Sequence, residues 1–219
     1  MVLAAAGQLA AAQAPPAPAT QQARFTVVLD AAHGGNDSGG LLANNQPEKV
    51  FTLALSVRLR SLLAARGMLV ITTRESDSTV EPNRRAEIAN RTQAQACLSL
   101  HASESGSGVH LFASSLAPIP PTRFVAWKTA QAAFVTRSLA LTGDLNSAFT
   151  QAGMNVTLGR TSLPGVDSMA CPAVAIEIAP ERGPDQTVKS ALDDPNYQSR
   201  VAEALAAALL VWRTEARQP

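Results

Sequence analysis

The sequence has few of the features that would support nucleic-acid binding or insertion in a membrane. Aromatic residues make up 4% of the 219 residues, so base stacking is not expected to be a main function. The formal net charge is +1, which provides no broad attraction for nucleic acid or an anionic bilayer. Because the chain contains no apolar run of about 18 residues, we predict no transmembrane segment.

Cysteine is also scarce. The two cysteines, Cys97 and Cys171, are too few to form a closed thiolate zinc site. Each lies beside an apolar run, where a free cysteine is commonly a small core residue. We therefore predict two unpaired core cysteines, although export from the cytoplasm would permit a disulfide.

The N-terminal segment differs in composition from the rest of the chain. Residues 1–24 are rich in alanine, glutamine and proline, and residues 2–14 resemble the end of an export signal with an A-x-A cleavage site. The basic start of such a signal is missing, so a disordered tail is the alternative. We favour export, and we predict one domain over residues 25–219 because this length suits a single core.

Apolar runs alternate with segments of helical periodicity along the domain. Strands are predicted around Val27–Asp30 and at Met68–Thr73, Cys97–Leu100, Val109–Ala113 and Ala173–Ile178. Helices are predicted at Glu48–Arg66, Glu81–Gln93, Thr122–Leu141 and Asn196–Trp212. Strands separated by helices indicate an α/β fold, with a largely parallel sheet covered by helices on both faces, in a single domain.

Two histidines directly follow predicted strands. His33 comes after Val27–Asp30 and precedes a glycine-rich turn, and His101 ends the run that begins at Cys97. The carboxyl ends of parallel strands are where open α/β sheets bind their ligands. Glycines around His33 would let the backbone pass close to a metal or a substrate. A single histidine at one such place would more often be an ordinary polar residue.

Two glutamates complete a candidate metal site. Glu48 follows Pro47 at a predicted helix start, so its alternative role is to interact with the helix dipole. His33, Glu48 and His101 form the ligand set of a catalytic Zn²⁺ that keeps one position open for water. Glu177 lies in an apolar strand, and we interpret it as the general base; a structural ion pair is its alternative role. Glu181 is the rival general base.

Four further residues are given mainly structural roles. Asp30 is predicted either to accept a hydrogen bond from a ligand histidine or to cap the turn. Arg74 and Arg85 are expected to pair with carboxylates around the site, with substrate binding as the alternative. His110 alternates with apolar residues, so we expect a solvent-facing or loop-bonded histidine rather than a metal ligand.

A series of ordered motifs resembles the zinc-dependent N-acetylmuramoyl-L-alanine amidases of bacterial cell walls. The similarity runs from about Phe25 to the C-terminus. The motifs are Val27–Asp30, His33-Gly34-Gly35, Asp37, Gly39, Glu48-Lys49, Thr73–Asp77, Arg85, Ile88–Asn90, Ser99–Ala102, and Pro172–Val174 leading to Glu177.

The resemblance implies that His33, Glu48 and His101 bind one zinc ion and that Glu177 is catalytic. It also implies a peptidoglycan or muropeptide substrate, cleaved by zinc-activated water between N-acetylmuramic acid and the L-alanine of the stem peptide. We accordingly expect a monomeric periplasmic or cell-wall enzyme. The alternatives are another zinc peptidase or deacylase on the same scaffold and a non-catalytic wall-binding module.

Overall fold

The structure, a computed structural model, describes residues 24–120 and 124–215. The predicted tail or export signal therefore lies, apart from Arg24, outside the described residues. The strands are β1 (Thr26–Ala31), β2 (Leu69–Thr72), β3 (Ala96–Ala102), β4 (Val109–Ser114), β5 (Val156–Thr161), β6 (Ala173–Ile178), β7 (Glu181–Arg182) and β8 (Val188–Ser190). The α-helices are α1 (Glu48–Ala65), α2 (Pro82–Arg91), α3 (Val135–Gln151) and α4 (Pro195–Glu215).

Six strands form one mixed sheet in the order β2-β1-β3-β6-β4-β5. Neighbouring strands are parallel except for β4 and β6, which pair antiparallel. The connection 103–108 joins β3 to β4 and crosses the carboxyl end of β6, where Gly108 exchanges backbone hydrogen bonds with Ala179 and Pro180. The carboxyl ends of β1, β3 and β6 and the start of β4 thus lie along one edge.

Helices cover both faces of the sheet, as the sequence predicts. Alternation along β1 buries Val27 and Leu29 in the larger core, which also receives the apolar sides of α1, α3 and α4. Val28 points to the opposite face and packs in a smaller cluster with Ala86 and Ala89 of α2. The predicted single-domain α/β fold with a largely parallel sheet is confirmed.

Helix α1 follows its sequence pattern closely. It begins at Glu48, directly after Pro47, and buries Phe51, Leu55, Leu59 and Leu63 at four-residue spacing. The helix ends before Gly67, whose φ of 77° is the left-handed conformation that glycine readily adopts. The N-terminus of α1 therefore places Glu48 beside the strand ends of the sheet.

The predicted helix Thr122–Leu141 is wrong over most of its described part. Thr122 and Arg123 lie outside the described residues, residues 124–134 are not α-helical, and the α-helix that follows continues past Leu141. Residues Trp127–Ala133 form short 3₁₀ turns, and α3 runs from Val135 to Gln151. The buried Gln131 side chain donates hydrogen bonds to the carbonyls of Met169 and Cys171, which fixes this segment against the residues before β6. These tertiary contacts hold the alanine-rich segment in turns although alanine favours an α-helix.

The prediction of two free cysteines is also wrong. Cys97 of β3 and Cys171, two residues before β6, form a disulfide across 74 residues of sequence. Both residues are buried in the smaller core cluster. The pairing depends on the register that puts Cys97 opposite Ala173, which isolated apolar runs in a sequence do not specify.

Within the described ranges, no helix combines the length and the apolar character that crossing a bilayer requires.

Candidate metal centre

Three residues from separate elements meet at the carboxyl edge of the sheet. His33 follows β1, Glu48 begins α1, and His101 lies near the end of β3. One ligand atom from each lies within 4.8 Å of the other two, so the three could hold a metal ion. The distances are 3.1 Å from His33 Nε2 to Glu48 Oε2 and 3.1 Å from His101 Nδ1 to Glu48 Oε1.

Glu48 is held as a buried carboxylate between the two imidazoles. Its Oε1 accepts a hydrogen bond from the amide of Ala102 at 3.1 Å, and its Oε2 accepts one from the amide of Gly40 at 2.9 Å. Burial raises the pKa of Glu48, but the hydrogen bonds from His101, His33 and these two amides outweigh it, so the pKa lies well below its usual range. An ionised carboxylate is the form that binds a metal.

His33 has its second ring nitrogen on Asp37. Nδ1 lies 2.8 Å from Asp37 Oδ2, and because the carboxylate can only accept, this hydrogen bond places the ring proton on Nδ1. Nε2, which faces Glu48 at 3.1 Å, is then the ring nitrogen that would bind a metal in place of its proton. In the structure, hydrogen bonding to Glu48 raises the pKa of His33, burial opposes this, and Asp37 adds to the rise.

His101 is supported by a hydroxyl instead of a carboxylate. Ser99 Oγ donates to Asp30 Oδ2 at 2.8 Å and lies 3.4 Å from His101 Nε2, so it can accept the Nε2 proton. This arrangement leaves Nδ1 facing Glu48. The prediction that Asp30 directly accepts a hydrogen bond from a ligand histidine is wrong; the link from Asp30 to His101 passes through Ser99.

The two arginines hold the loop that carries His33. Arg85 pairs with Asp30 at 2.6 Å and donates to the carbonyl of His33 at 2.6 Å, which confirms its predicted carboxylate partner. Arg74 donates instead to the carbonyls of Ala31, Ala32 and Lys49, so its predicted pairing with a carboxylate is wrong. Both guanidinium groups fix the backbone beside the ligands.

A glycine is required where the turn after β1 passes the ligands. Gly39 has φ 66°, and a Cβ there would lie 2.6 Å from His33 Cδ2 and 2.7 Å from Glu48 Oε2. Any side chain would displace both residues. At this position the backbone therefore passes close to two of the candidate ligands.

Glu177 of β6 lies directly between two histidines in the sheet register. It is opposite His101 of β3 on one side and opposite His110 of β4 on the other. His110 Nδ1 lies 2.9 Å from Glu177 Oε1, and the His110 side chain is only 15% exposed. The expectation of a solvent-facing or loop-bonded His110 is therefore wrong.

A cavity of about 270 Å³ adjoins the ligands on the face of the sheet that carries α2. Ser99, His101 and Ala175 line it from the strands. Its walls are mainly apolar and come from two segments, with Val80 and Pro82 on one and Val166 and Met169 on the other. The cavity gives a small group room to lie beside the candidate metal centre.

Comparisons with known proteins agree with this architecture. Over a 93-residue match the chain is 36% identical to the N-acetylmuramoyl-L-alanine amidase AmiA of Escherichia coli, covering 41% of the chain and 32% of that protein. It is 29% identical over 153 residues to an N-acetylmuramoyl-L-alanine amidase of Mycobacterium tuberculosis, covering 67% of the chain and 61% of that protein. The matches thus span about a third of the first protein and three-fifths of the second.

The solved catalytic domain of CwlV, an N-acetylmuramoyl-L-alanine amidase from Bacillus (Paenibacillus) polymyxa, has the same fold. It superposes with a TM-score of 0.68 at 24% identity, covering 86% of this chain and 98% of that one. A family model described as N-acetylmuramoyl-L-alanine amidase matches residues 27–211, which include the whole candidate centre. The chain therefore belongs to the N-acetylmuramoyl-L-alanine amidase family.

Proposed function

We propose that this protein is a zinc-dependent peptidoglycan amidase. It cleaves the amide bond between the lactyl group of N-acetylmuramic acid and the L-alanine of the stem peptide. The observation that carries the proposal is the convergence of the His33, Glu48 and His101 ligand atoms within 4.8 Å, with Glu177 next to His101 in the sheet. Membership of the amidase family supports the choice of substrate.

The donor set suits zinc. Two imidazole nitrogens and one carboxylate oxygen match the ligands of catalytic zinc sites that keep a fourth position open. Asp37 and Ser99 support the tautomers in which His33 Nε2 and His101 Nδ1 are unprotonated. When bound, zinc supplies Lewis acidity, which lowers the pKa of water and polarises a carbonyl.

Glu177 is the general base in this proposal. It takes a proton from the attacking water and delivers it to the nitrogen of the leaving L-alanine as the amide carbon–nitrogen bond breaks. Its side chain is 33% exposed, so water can reach it. The rival base, Glu181, pairs with Arg200 and accepts a hydrogen bond from Ser190, so its carboxylate is already engaged by these two partners.

Both the disulfide and the proposed substrate are consistent with export from the cytoplasm. The Cys97–Cys171 disulfide is a feature of proteins that fold in oxidising compartments. Peptidoglycan also lies outside the cytoplasm. We therefore place the enzyme in the periplasm or at the cell wall.

Substitution of the general base tests the mechanism. Glu177→Gln should lower turnover of purified muropeptides by at least ~10²-fold, because general base catalysis is lost. The zinc content measured by elemental analysis should stay at the wild-type level. Glu181→Gln is the matched control and should keep wild-type turnover. If Glu177→Gln retained more than about a tenth of the wild-type rate, Glu177 would not be the general base.

Product analysis separates the proposed amidase from the alternatives. Mass spectrometry of a digest should find intact stem peptides that begin with L-alanine, together with glycan that has lost its peptides. A peptidase or deacylase on the same scaffold would leave the L-alanine on the glycan. A wall-binding module would sediment with purified cell walls and release neither product.

A further inference from the structure

We propose that His110 is a positioning residue that orients the Glu177 carboxylate for catalysis. The inference rests on the proposed function, because it gives His110 a purpose only if Glu177 acts as the base. It concerns a side chain outside the group that could hold the metal, which consists of His33, Glu48 and His101.

The sheet register places His110 to act on Glu177. His101, Glu177 and His110 occupy directly paired positions on three adjacent strands, so their side chains project from the same face of the sheet. The strand order puts β6 between β3 and β4. Glu177 therefore has the candidate metal centre on one side and His110 on the other.

A hydrogen bond joins the side chains of His110 and Glu177. His110 Nδ1 lies 2.9 Å from Glu177 Oε1. An ionised carboxylate only accepts hydrogen bonds, so His110 is the donor and carries a proton on Nδ1. With Oε1 bound in this way, Oε2 is the oxygen that receives the proton from water. The histidine thus determines which carboxylate oxygen does the chemistry and how it is turned.

The loop above His110 is shaped to hold the ring. Gly106 has φ 85°, and a Cβ there would lie 2.2 Å from His110 Cε1 and 2.7 Å from Nε2. The backbone of the connection 103–108 therefore rests against the imidazole. Because the His110 side chain is only 15% exposed, this contact and the strand beneath it leave the ring little freedom to rotate.

Two substitutions at His110 test the role of the hydrogen bond. In His110→Leu the donor is lost while a side chain of similar bulk remains, and in His110→Asn the amide nitrogen can take the place of Nδ1. His110→Leu should lower kcat for muropeptides about 10- to 100-fold, because the base is misplaced. KM and zinc content should stay within about twofold of wild type, since ground-state binding is not affected. His110→Asn should restore kcat to within about threefold of wild type.

A second pair of variants tests the same contact without changing His110. Gly106→Ala should push the ring away from Glu177 and lower kcat, with KM unchanged. Gly153→Ala is the matched control, because Gly153 also has a positive φ of 74° but a Cβ added there would meet no atom within 4 Å. It should keep wild-type kcat. If His110→Leu does not fold, the comparison of Gly106→Ala with Gly153→Ala tests the proposal instead.

The outcomes distinguish this inference from the proposed function. A wild-type protein that releases no stem peptides overturns the proposed function, and the role of His110 with it. If the wild type is active, three results overturn the role of His110 alone. These are an unchanged kcat in folded His110→Leu or in Gly106→Ala, a loss of zinc in His110→Leu, and a failure of His110→Asn to recover activity.

Discussion

At the scale of single residues, each histidine of the candidate centre is oriented by a different chemical group. Asp37 binds the outer nitrogen of His33 through a carboxylate, whereas Ser99 faces the outer nitrogen of His101 with a hydroxyl. A carboxylate also increases the basicity of the histidine it binds, which strengthens metal binding. Zinc affinity should therefore depend strongly on Asp37.

Asp37→Ala should weaken zinc binding about 10- to 100-fold, because His33 loses the partner that fixes its tautomer. Competition with a zinc chelator measures the change. Asp185→Ala, which removes another carboxylate that accepts hydrogen bonds within a turn, is the control and should bind zinc as the wild type does. Equal affinity in the two variants would contradict the role of Asp37.

Arg85 is expected to matter for stability, because it neutralises the buried charge of Asp30. It pairs with Asp30, and both side chains are less than a tenth exposed. Arg85→Leu should lower the free energy of unfolding by about 3–5 kcal/mol, because Asp30 is left buried without its cation. Arg84→Leu breaks only the exposed pair with Glu87 and should change stability by no more than about 1 kcal/mol. Chemical denaturation compares them, and similar losses would refute the argument.

At the scale of elements, helix α3 contains an acid in an unfavourable place. Asp144 Oδ2 is buried without a hydrogen-bond partner among the described residues. Burial, followed by repulsion from Glu215 of α4, raises the pKa of Asp144. Folding thus favours the protonated acid. The stability gained from the protonated Asp144 side chain is fully present below the ordinary pKa of 3.8. It is lost as the pH rises through the raised pKa that Asp144 has in the folded protein.

Asp144→Asn should accordingly raise the thermal midpoint at pH 7 and leave it nearly unchanged near pH 3, where the acid is protonated in both states. Differential scanning calorimetry at the two pH values measures the difference. Asp193→Asn, at an exposed position, should have little effect at either pH. A lower midpoint for Asp144→Asn at pH 7 would show that the ionised acid is stabilising.

Some elements of the fold can be predicted from local signals in the sequence, and others cannot. The strand before His33 and the strands that contain His101 and Glu177 are short apolar runs, and Pro47 marks the start of α1, so local signals indicate the positions of these residues. The edge strand β5 was missed because its sequence, VTLGRT, contains a glycine and polar residues and its side chains are largely exposed. The contact between His110 and Glu177 depends on the antiparallel register of β4 with β6, which no local pattern specifies.

At the scale of the whole molecule, the disulfide restricts the unfolded chain more than any local contact does. Cys97 and Cys171 are 74 residues apart, so their bond closes a long loop. The double variant Cys97→Ala/Cys171→Ala should lose about 2–4 kcal/mol of unfolding free energy. A reducing agent should lower the stability of the wild type and leave the variant unaffected. Equal stability of oxidised wild type and variant would contradict the expectation.

The connection 103–108, which crosses β6, affects the positions of His101 and His110 to different degrees. His101 is fixed by the pairing of β3 with β6, whereas His110 reaches Glu177 only because this short connection brings β4 to the far side of β6. A residue inserted between Ser103 and Gly108 would alter the second histidine's approach and leave the first in place. With His110 positioning Glu177 as proposed, loop length at this one point would offer evolution, or a protein engineer, a way to adjust catalytic rate independently of metal affinity.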